Sequence, residues 1–119
     1  MNIHRLLAHC RTLPGVQEDV KWGNAHCCMV AEKLFAIIRL DERGQPQAAM
    51  SIKVDSHRFL ELSDLPGIQP APYLARNHWL LLEADCVLPD EEVEALISRS
   101  WHLIASRLPK RQRETLGLA

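Results

Sequence analysis

The chain lacks most of the short motifs that identify catalytic and cofactor-binding proteins. It contains no CxxC pair, no P-loop, no GxGxxG, no HExxH and no GxSxG. Its five glycines are scattered, so the sequence has no glycine-rich loop of the kind that holds phosphates. No apolar stretch reaches the length of a membrane-spanning helix. These absences argue against the common nucleotide-binding and metal-dependent hydrolase classes and predict no membrane association.

An excess of one charge is also missing. The chain has 14 Lys and Arg residues against 15 Asp and Glu residues, which gives a formal net charge of −1. A domain that coats phosphates usually carries a clear basic excess, so any contact with nucleic acid should be local. Residues 83–94 carry six acids and no base, whereas the segment after residue 98 carries five bases and one acid. This asymmetry either complements a helix dipole or marks a phosphate-binding end of the molecule.

Cysteine is present, but without a pairing pattern. Cys27 and Cys28 are adjacent and should point to opposite faces of a strand, and Cys10 and Cys86 lie far from them in sequence. We therefore expect reduced thiols, no metal and no cofactor. The first residues lack the apolar run and cleavage site of a signal peptide, which predicts a cytoplasmic protein.

The hydrophobic pattern predicts a single α+β domain over residues 1–119. This length suits one domain, and a hydrophobic fraction of 47% is enough to fill one core. Short loops between the predicted strands imply an antiparallel sheet, with an N-terminal, a middle and a long C-terminal helix packed beside it. Asp55 is predicted to cap the middle helix, and three prolines between residues 65 and 72 exclude a central strand there. The predicted helices cover about 3–13, 56–65 and 89–108, and the predicted strands 18–22, 26–31, 34–40, 48–54 and 78–83.

The C-terminal helix has the clearest pattern. Pro89 suits its first turn, and apolar residues recur at helical spacing along one face. Pro109 should end the helix, and Lys110, Arg111 and Arg113 follow in what we expect to be a short basic tail. The predicted buried stripe consists of Val93, Leu96, Ile97, Trp101, Ile104 and Leu108.

Lys53 is a candidate binding residue because of its place in an alternating strand. Met50, Ile52 and Val54 should face the core, and Ser51 and Lys53 should project from the opposite face. A lysine on a rigid strand offers a well-placed cation if that face is open. The alternative is an ordinary solvated side chain.

Other candidates combine aromatic rings with nearby cations. Tyr73 stands close to Arg76, and His78 is followed by Trp79. Such groups often hold bases or anionic ligands, although buried rings more commonly serve the core. Arg43 lies at the tip of a predicted hairpin, where it could reach a phosphate.

Several short strings occur in order along the chain: LPGV at 13–16, EDVKWG at 18–23, KLFA at 33–36, SIKVD at 51–55, PGIQPAPYLAR at 66–76, HW at 78–79, LPDEE at 88–92 and LPK at 108–110. Together they resemble one family, the MmcQ/YjbR family, across about residues 13–113. The resemblance implies a compact α+β fold whose sheet hairpins have been described as a double wing, and this double wing is the basis of a DNA-binding assignment. No catalytic residues follow from it. In this chain Glu32 replaces the glycine usual before Lys33, and an acid in that turn would repel phosphate.

The sequence therefore predicts a DNA-binding protein with few, local phosphate contacts. The alternative is a non-enzymatic module for a small anionic ligand or a protein partner, and an enzyme comes third. DNA binding predicts a continuous basic surface that reaches the hairpins, and a ligand module predicts a pocket. The candidates for DNA contact are Arg43, Lys53, Lys110, Arg111 and Arg113, and those for ligand contact are Lys53, Tyr73, Arg76, His78 and Trp79.

Overall fold

A computed structural model describes residues 1–72 and 74–118, with the side chain of Arg76 excepted. Six strands form one sheet in the order β1-β2-β3-β4-β6-β5, and every neighbouring pair is antiparallel. The strands are β1 (Val16–Lys21), β2 (Ala25–Val30), β3 (Lys33–Leu40), β4 (Pro46–Lys53), β5 (Ile68–Pro70) and β6 (Trp79–Leu82). The helices are α1 (Ile3–Arg11), α2 (Ser56–Ser63), α3 (Asp90–Ala105) and α4 (Lys110–Thr115), with one 3₁₀ turn at Ala75–Asn77. The predicted fold class is confirmed.

One face of the sheet carries the main hydrophobic core. Apolar residues of α1 and α3 pack against alternate residues of the central strands, as the period-two pattern requires. Trp101 on α3 is 6% exposed, and its indole N–H donates to the Pro14 carbonyl at 3.0 Å. Met50 and Ile52 were predicted to face inward together with Val54, and both are fully buried. The alternation of hydrophobicity along β4 was therefore a reliable guide to its orientation.

The other face of the sheet has a smaller apolar cluster. Ala49, Trp79 and Leu81 are buried there together with Ala71. The chain between β5 and β6 lies against this cluster, since the Ala71 amide donates to the Trp79 carbonyl at 3.0 Å. This packing brings the Ala75–Asn77 turn close to the end of β4.

Two local predictions were wrong, and one short edge strand was not predicted. The residues predicted to form a basic tail belong to α4, because a new helix starts directly after Pro109. Asp55 occupies the N-cap position of α2 but makes no side-chain cap; its carboxylate instead accepts two hydrogen bonds from Arg99 on α3. The proline-rich connector contains β5, which is possible because β5 is an edge strand and Pro70 is its last residue.

No helix within the described ranges 1–72 and 74–118 has both the length and the apolar character needed to cross a membrane.

Candidate functional site

A groove lies at the end of the sheet where β4 stops and β3 and β6 begin. Its volume is about 330 Å³, and the last turn of α3 with the residues that follow it forms one wall. The floor is apolar, and three cationic side chains line the rim. We call this feature the cationic groove. It is lined by Lys33, Lys53, Asn77, Trp79, Ile104, Arg107 and Leu108.

Backbone hydrogen bonds fix Lys53 at this position. Lys53 is directly opposite Trp79 in the β4–β6 ladder, so the two side chains are neighbours on one face. The Lys53 amide donates to the Ser100 hydroxyl at 3.1 Å, and that hydroxyl donates to the Phe35 carbonyl at 2.6 Å. Ser100 is fully buried, so a single hydroxyl joins α3 to the ends of β3 and β4. The strand end that carries Lys53 is therefore rigidly held.

The ammonium group of Lys53 is partly desolvated. It donates to the Asn77 carbonyl at 2.6 Å. Burial lowers the pKa of Lys53 below its ordinary value, and the positive charge of Arg107 lowers it further. Within the described part of the chain, Lys33, Lys53 and Arg107 make no ion pair with a carboxylate. The groove thus gathers like charges without neutralising them.

The wall of the groove near Asn77 contains strained backbone. His78 has a φ of 63°, in the left-handed region that is unusual for a non-glycine residue. Its carbonyl accepts from the Val54 amide at 2.9 Å, and its ring packs edge-on against Phe59 of α2 with centroids 5.5 Å apart. His78 therefore anchors the turn from the side of α2, while its neighbours Asn77 and Trp79 face the groove.

The structure brings only part of the predicted ligand cluster together. Lys53 and Trp79 meet in the cationic groove, whereas the His78 ring lies against α2. Tyr73 and the side chain of Arg76 lie outside the described residues.

The residues predicted to contact DNA lie at two ends of the molecule. Lys110, Arg111 and Arg113 are on α4, which follows the groove residue Leu108. The Arg113 guanidinium donates to the Leu108 carbonyl at 2.6 Å, so this side chain is partly used in the fold. Arg43 is in the β3–β4 turn at the opposite end of the sheet, next to two acids.

Two groove cations were missed by sequence reasoning. Lys33 was expected in a turn, but the turn is made by Ala31 and Glu32, and Lys33 opens β3. Arg107 is one of the five bases after residue 98, which the sequence left open between complementing a helix dipole and contacting phosphate. Arg107 follows Ile104 by three residues, a spacing that places two side chains of a helix on the same face. This spacing could have predicted that Arg107 lies beside an apolar surface.

A second polar cluster tests the enzyme hypothesis. His9 Nε2 lies 2.7 Å from Ser98 Oγ, and His9 Nδ1 lies 3.9 Å from Glu94 Oε2, which is the order of a hydrolase triad. The second distance is too long for a hydrogen bond. The Arg5 guanidinium binds the Glu94 carboxylate at 2.9 Å and lowers the pKa of Glu94. The cluster is therefore a polar contact between α1 and α3.

The thiols do not converge on a site either. Cys28 faces the main core beside Cys10, and Cys27 points to the other face of β2. Burial raises the pKa of the Cys27 thiol, and the contact with Cys10 and burial together raise that of Cys28. In the parts of the chain that are described, no group of three or more His, Cys, Asp or Glu residues is placed to hold a metal ion.

These features define a class: a small α+β protein with a six-stranded antiparallel sheet, helices on one face and a cationic groove at one end of the sheet. The chain belongs to the YjbR family, whose family model matches residues 11–103.

Similar proteins support the same assignment. The chain is 28% identical to "Uncharacterized protein YjbR" of Escherichia coli K12, over 98% of both chains, and equally to the protein of that name from Escherichia coli O157:H7. A crystal structure of the Deinococcus radiodurans protein DR2400, described as domain DUF419, superposes with a TM-score of 0.83 at 24% identity, covering 98% of this chain and 88% of that one. A Pseudomonas syringae protein superposes with a TM-score of 0.68 at 20% identity, covering 87% of this chain and 98% of that one. The two structural matches show the fold alone.

Proposed function

We propose that this protein binds a small anionic ligand in the cationic groove. The observation that carries the proposal is the meeting of Lys33, Lys53 and Arg107 over an apolar floor, with no carboxylate paired to them in the described residues. A ligand with a phosphate or carboxylate group and an apolar portion matches this lining.

The energetics of Lys53 favour an anionic ligand. The lowered pKa means that the charged form of Lys53 is less stable here than in water, because of burial and the Arg107 charge. A bound anion would offset the second effect, and its oxygens would accept hydrogen bonds from the remaining ammonium protons. Binding of the anion would therefore be favoured by relief of the repulsion between the groove cations.

Shape and rigidity also suit a small ligand. A volume of about 330 Å³ is at the lower end of the range for ligand sites, about 300–1,000 Å³. The strained His78 and the Ser100 bridge hold the two walls in place before binding. Strained backbone of this kind is concentrated at functional sites, where the surrounding structure maintains it.

DNA binding is the second candidate, and a specific observation favours it. Lys110 and Arg111 are exposed on α4, and they extend the positive charge beyond the groove. Duplex phosphates could then contact the groove rim and α4 together. The small ligand is preferred because Arg5, Arg11, Arg58 and Arg99 are each paired with a carboxylate, which interrupts a continuous basic surface.

Titration with phenyl phosphate tests the proposal, because this probe combines a phosphate with an apolar ring. Backbone amide chemical shifts should change saturably at the groove residues. Lys53→Met should weaken binding about tenfold or more, since one charge-assisted hydrogen bond is lost. Arg43→Met is the matched control, because it removes a cation at the opposite end of the sheet and should leave the affinity unchanged.

A 12-base-pair duplex in the same experiment separates the two candidates. Saturable shifts with the duplex and none with phenyl phosphate would reject the small ligand and retain DNA. Equal binding by the native protein and Lys53→Met would show that the groove is not the site.

A further inference from the structure

The hairpin formed by β1 and β2 exposes two large apolar side chains at the end of the molecule opposite the cationic groove. Trp22 is 71% exposed and Val20 is 52% exposed. Trp22 also has a φ of 55°, followed by Gly23 at 77°. A bulky residue in the left-handed region is a genuine outlier and carries a conformational cost. An exposed and strained tryptophan is not explained by the packing of a single chain.

The strand that leads to Trp22 is an edge of the sheet. β1 pairs with β2 on one side only, and no other described segment forms a ladder with its outer side. Edge strands offer unpaired backbone groups to another strand unless charge or proline blocks them. β1 contains no proline, and its three charged residues are Glu18, Asp19 and Lys21.

Among the arrangements that pair the half of β1 nearest Trp22 with an identical strand, these charges permit one. In an antiparallel pair with a twofold axis perpendicular to the sheet, one residue faces its own copy. An axis at Glu18, Asp19 or Lys21 would oppose like charges, which destabilises a strand pair. An axis at Val20 places Val20 against Val20 and each Lys21 opposite Asp19 of the other copy. Trp22 then lies just beyond the paired residues, beside Glu18 and Val20 of that copy.

We propose that β1 is a dimerisation edge through which a second copy of this chain binds, with Val20 on the twofold axis. The exposed Val20 and Trp22 become covered in the dimer, and two Asp19–Lys21 pairs form across the junction. Within one chain the Lys21 Nζ to Asp19 Oδ2 distance is already 3.8 Å, and the two side chains are 37% and 60% exposed. Both are therefore available to exchange partners. The interface is small, so the dimer should be reversible.

Sedimentation equilibrium with charge-exchange variants tests the proposal. The native protein should approach twice the 13.5 kDa of one chain at about 200 µM and dissociate on dilution. Lys21→Asp should weaken the dimer about tenfold or more, because acids then face each other across the axis. The double variant Asp19→Lys with Lys21→Asp should restore the native association. A native protein that remains monomeric, or a double variant no stronger than the single one, would overturn the proposal.

A disulfide trap tests the position of the axis. Val20→Cys should form a covalent dimer quickly under mild oxidation, because the axis brings the two introduced thiols together. Gln17→Cys is the matched control: it lies on the same edge but about 20 Å from its own copy in this register, at about 3.4 Å per residue. Equal cross-linking of both variants would disprove the register. The dimer would also be rejected if the native protein stays monomeric and a DNA duplex quenches its tryptophan fluorescence but not that of Trp22→Phe. That result would assign the hairpin to nucleic acid.

Discussion

The turn between β2 and β3 is made by two non-glycine residues in the left-handed region. Ala31 has a φ of 48° and Glu32 a φ of 66°. Two consecutive positive φ values are the pattern of a type I′ hairpin turn, which favours Asn-Gly. The Glu32 amide donates to the Gln17 side chain at 2.9 Å, so β1 helps to hold the turn. Two non-glycine residues with positive φ are thus a source of strain in this turn.

Glu32→Gly should raise the free energy of unfolding by about 0.5–1 kcal/mol. The change removes the left-handed penalty of about 1–2 kcal/mol, and part of this gain is offset by the greater entropy of glycine in the unfolded chain. Urea titration measures the difference. The control is Glu42→Gly, an exposed turn residue without a positive φ, which should be neutral or destabilising. A Glu32→Gly protein less stable than the native one would contradict the strain argument.

At the scale of elements, a charged contact connects the end of β4 and the start of α2 to α3. The Arg99 guanidinium donates to both Asp55 oxygens, at 2.8 and 2.9 Å. These hydrogen bonds hold the pKa of Asp55 below its ordinary value. The Asp55 side chain is 17% exposed and that of Arg99 is 47% exposed, so solvent screens part of the attraction.

Asp55→Asn should cost about 1 kcal/mol at pH 7. Because the folded pKa of Asp55 is depressed, the ionised carboxylate contributes stability above its unfolded pKa of about 3.9 and loses it as the pH falls through the folded pKa. The difference between native and variant proteins should therefore be constant at neutral pH, begin to shrink near about pH 4 and disappear once the pH lies below the folded pKa of Asp55. Glu61→Gln, which breaks the exposed Arg58–Glu61 pair within α2, should change stability by less than about 0.5 kcal/mol. A pH-independent cost for Asp55→Asn would show that packing, not charge, dominates.

The long helix α3 depends on one aromatic residue for its position. Trp101→Ala should lower the free energy of unfolding by about 3–5 kcal/mol, because it removes a buried ring and leaves the Pro14 carbonyl without its donor. His102→Ala, at an exposed site one residue later, should change stability by less than about 0.5 kcal/mol. Chemical denaturation measures both variants, and a cost under about 1 kcal/mol for Trp101→Ala would contradict the packing described here.

For the whole molecule, the distribution of charge matters more than its sum. A net charge of −1 conceals the concentration of cations in the groove near the end of α3, where Lys33, Lys53 and Arg107 form no ion pair with a described carboxylate. Several other bases are neutralised by pairs such as Arg11 with Glu18, where the hydrogen bond from Arg11 lowers the pKa of Glu18. Any phosphate contact should therefore involve one end of the molecule.

If a DNA duplex binds, the slope of log affinity against log salt should reflect this asymmetry. Replacing both Lys110 and Arg111 with alanine should reduce the slope by about 1.8, at about 0.9 for each phosphate contact. Arg113 is left in place because its guanidinium binds the Leu108 carbonyl. Arg43→Ala, at the opposite end, should leave the slope unchanged. A reduced slope in Arg43→Ala with none in the double variant would move the contact to the β3–β4 hairpin.

The sequence by itself determined most of the elements and their inner faces, although not β5 or α4. Period-two alternation placed Met50 and Ile52 in the core, and helical spacing placed Trp101 there, because both patterns follow from local backbone geometry. Family membership could also be predicted, because this chain contains several short strings that resemble the family in both their order and their spacing.

Only the tertiary structure decided which polar side chains meet. Lys33 and Arg107 are 74 residues apart in sequence, and no local sequence pattern indicates that both line the same groove as Lys53. The same is true of Asp55, whose local pattern predicts a helix cap but whose carboxylate binds Arg99, 44 residues away. Local patterns arise from the geometry of neighbouring residues, whereas a binding site depends on the packing of strand and helix ends, and that packing is a property of the whole fold.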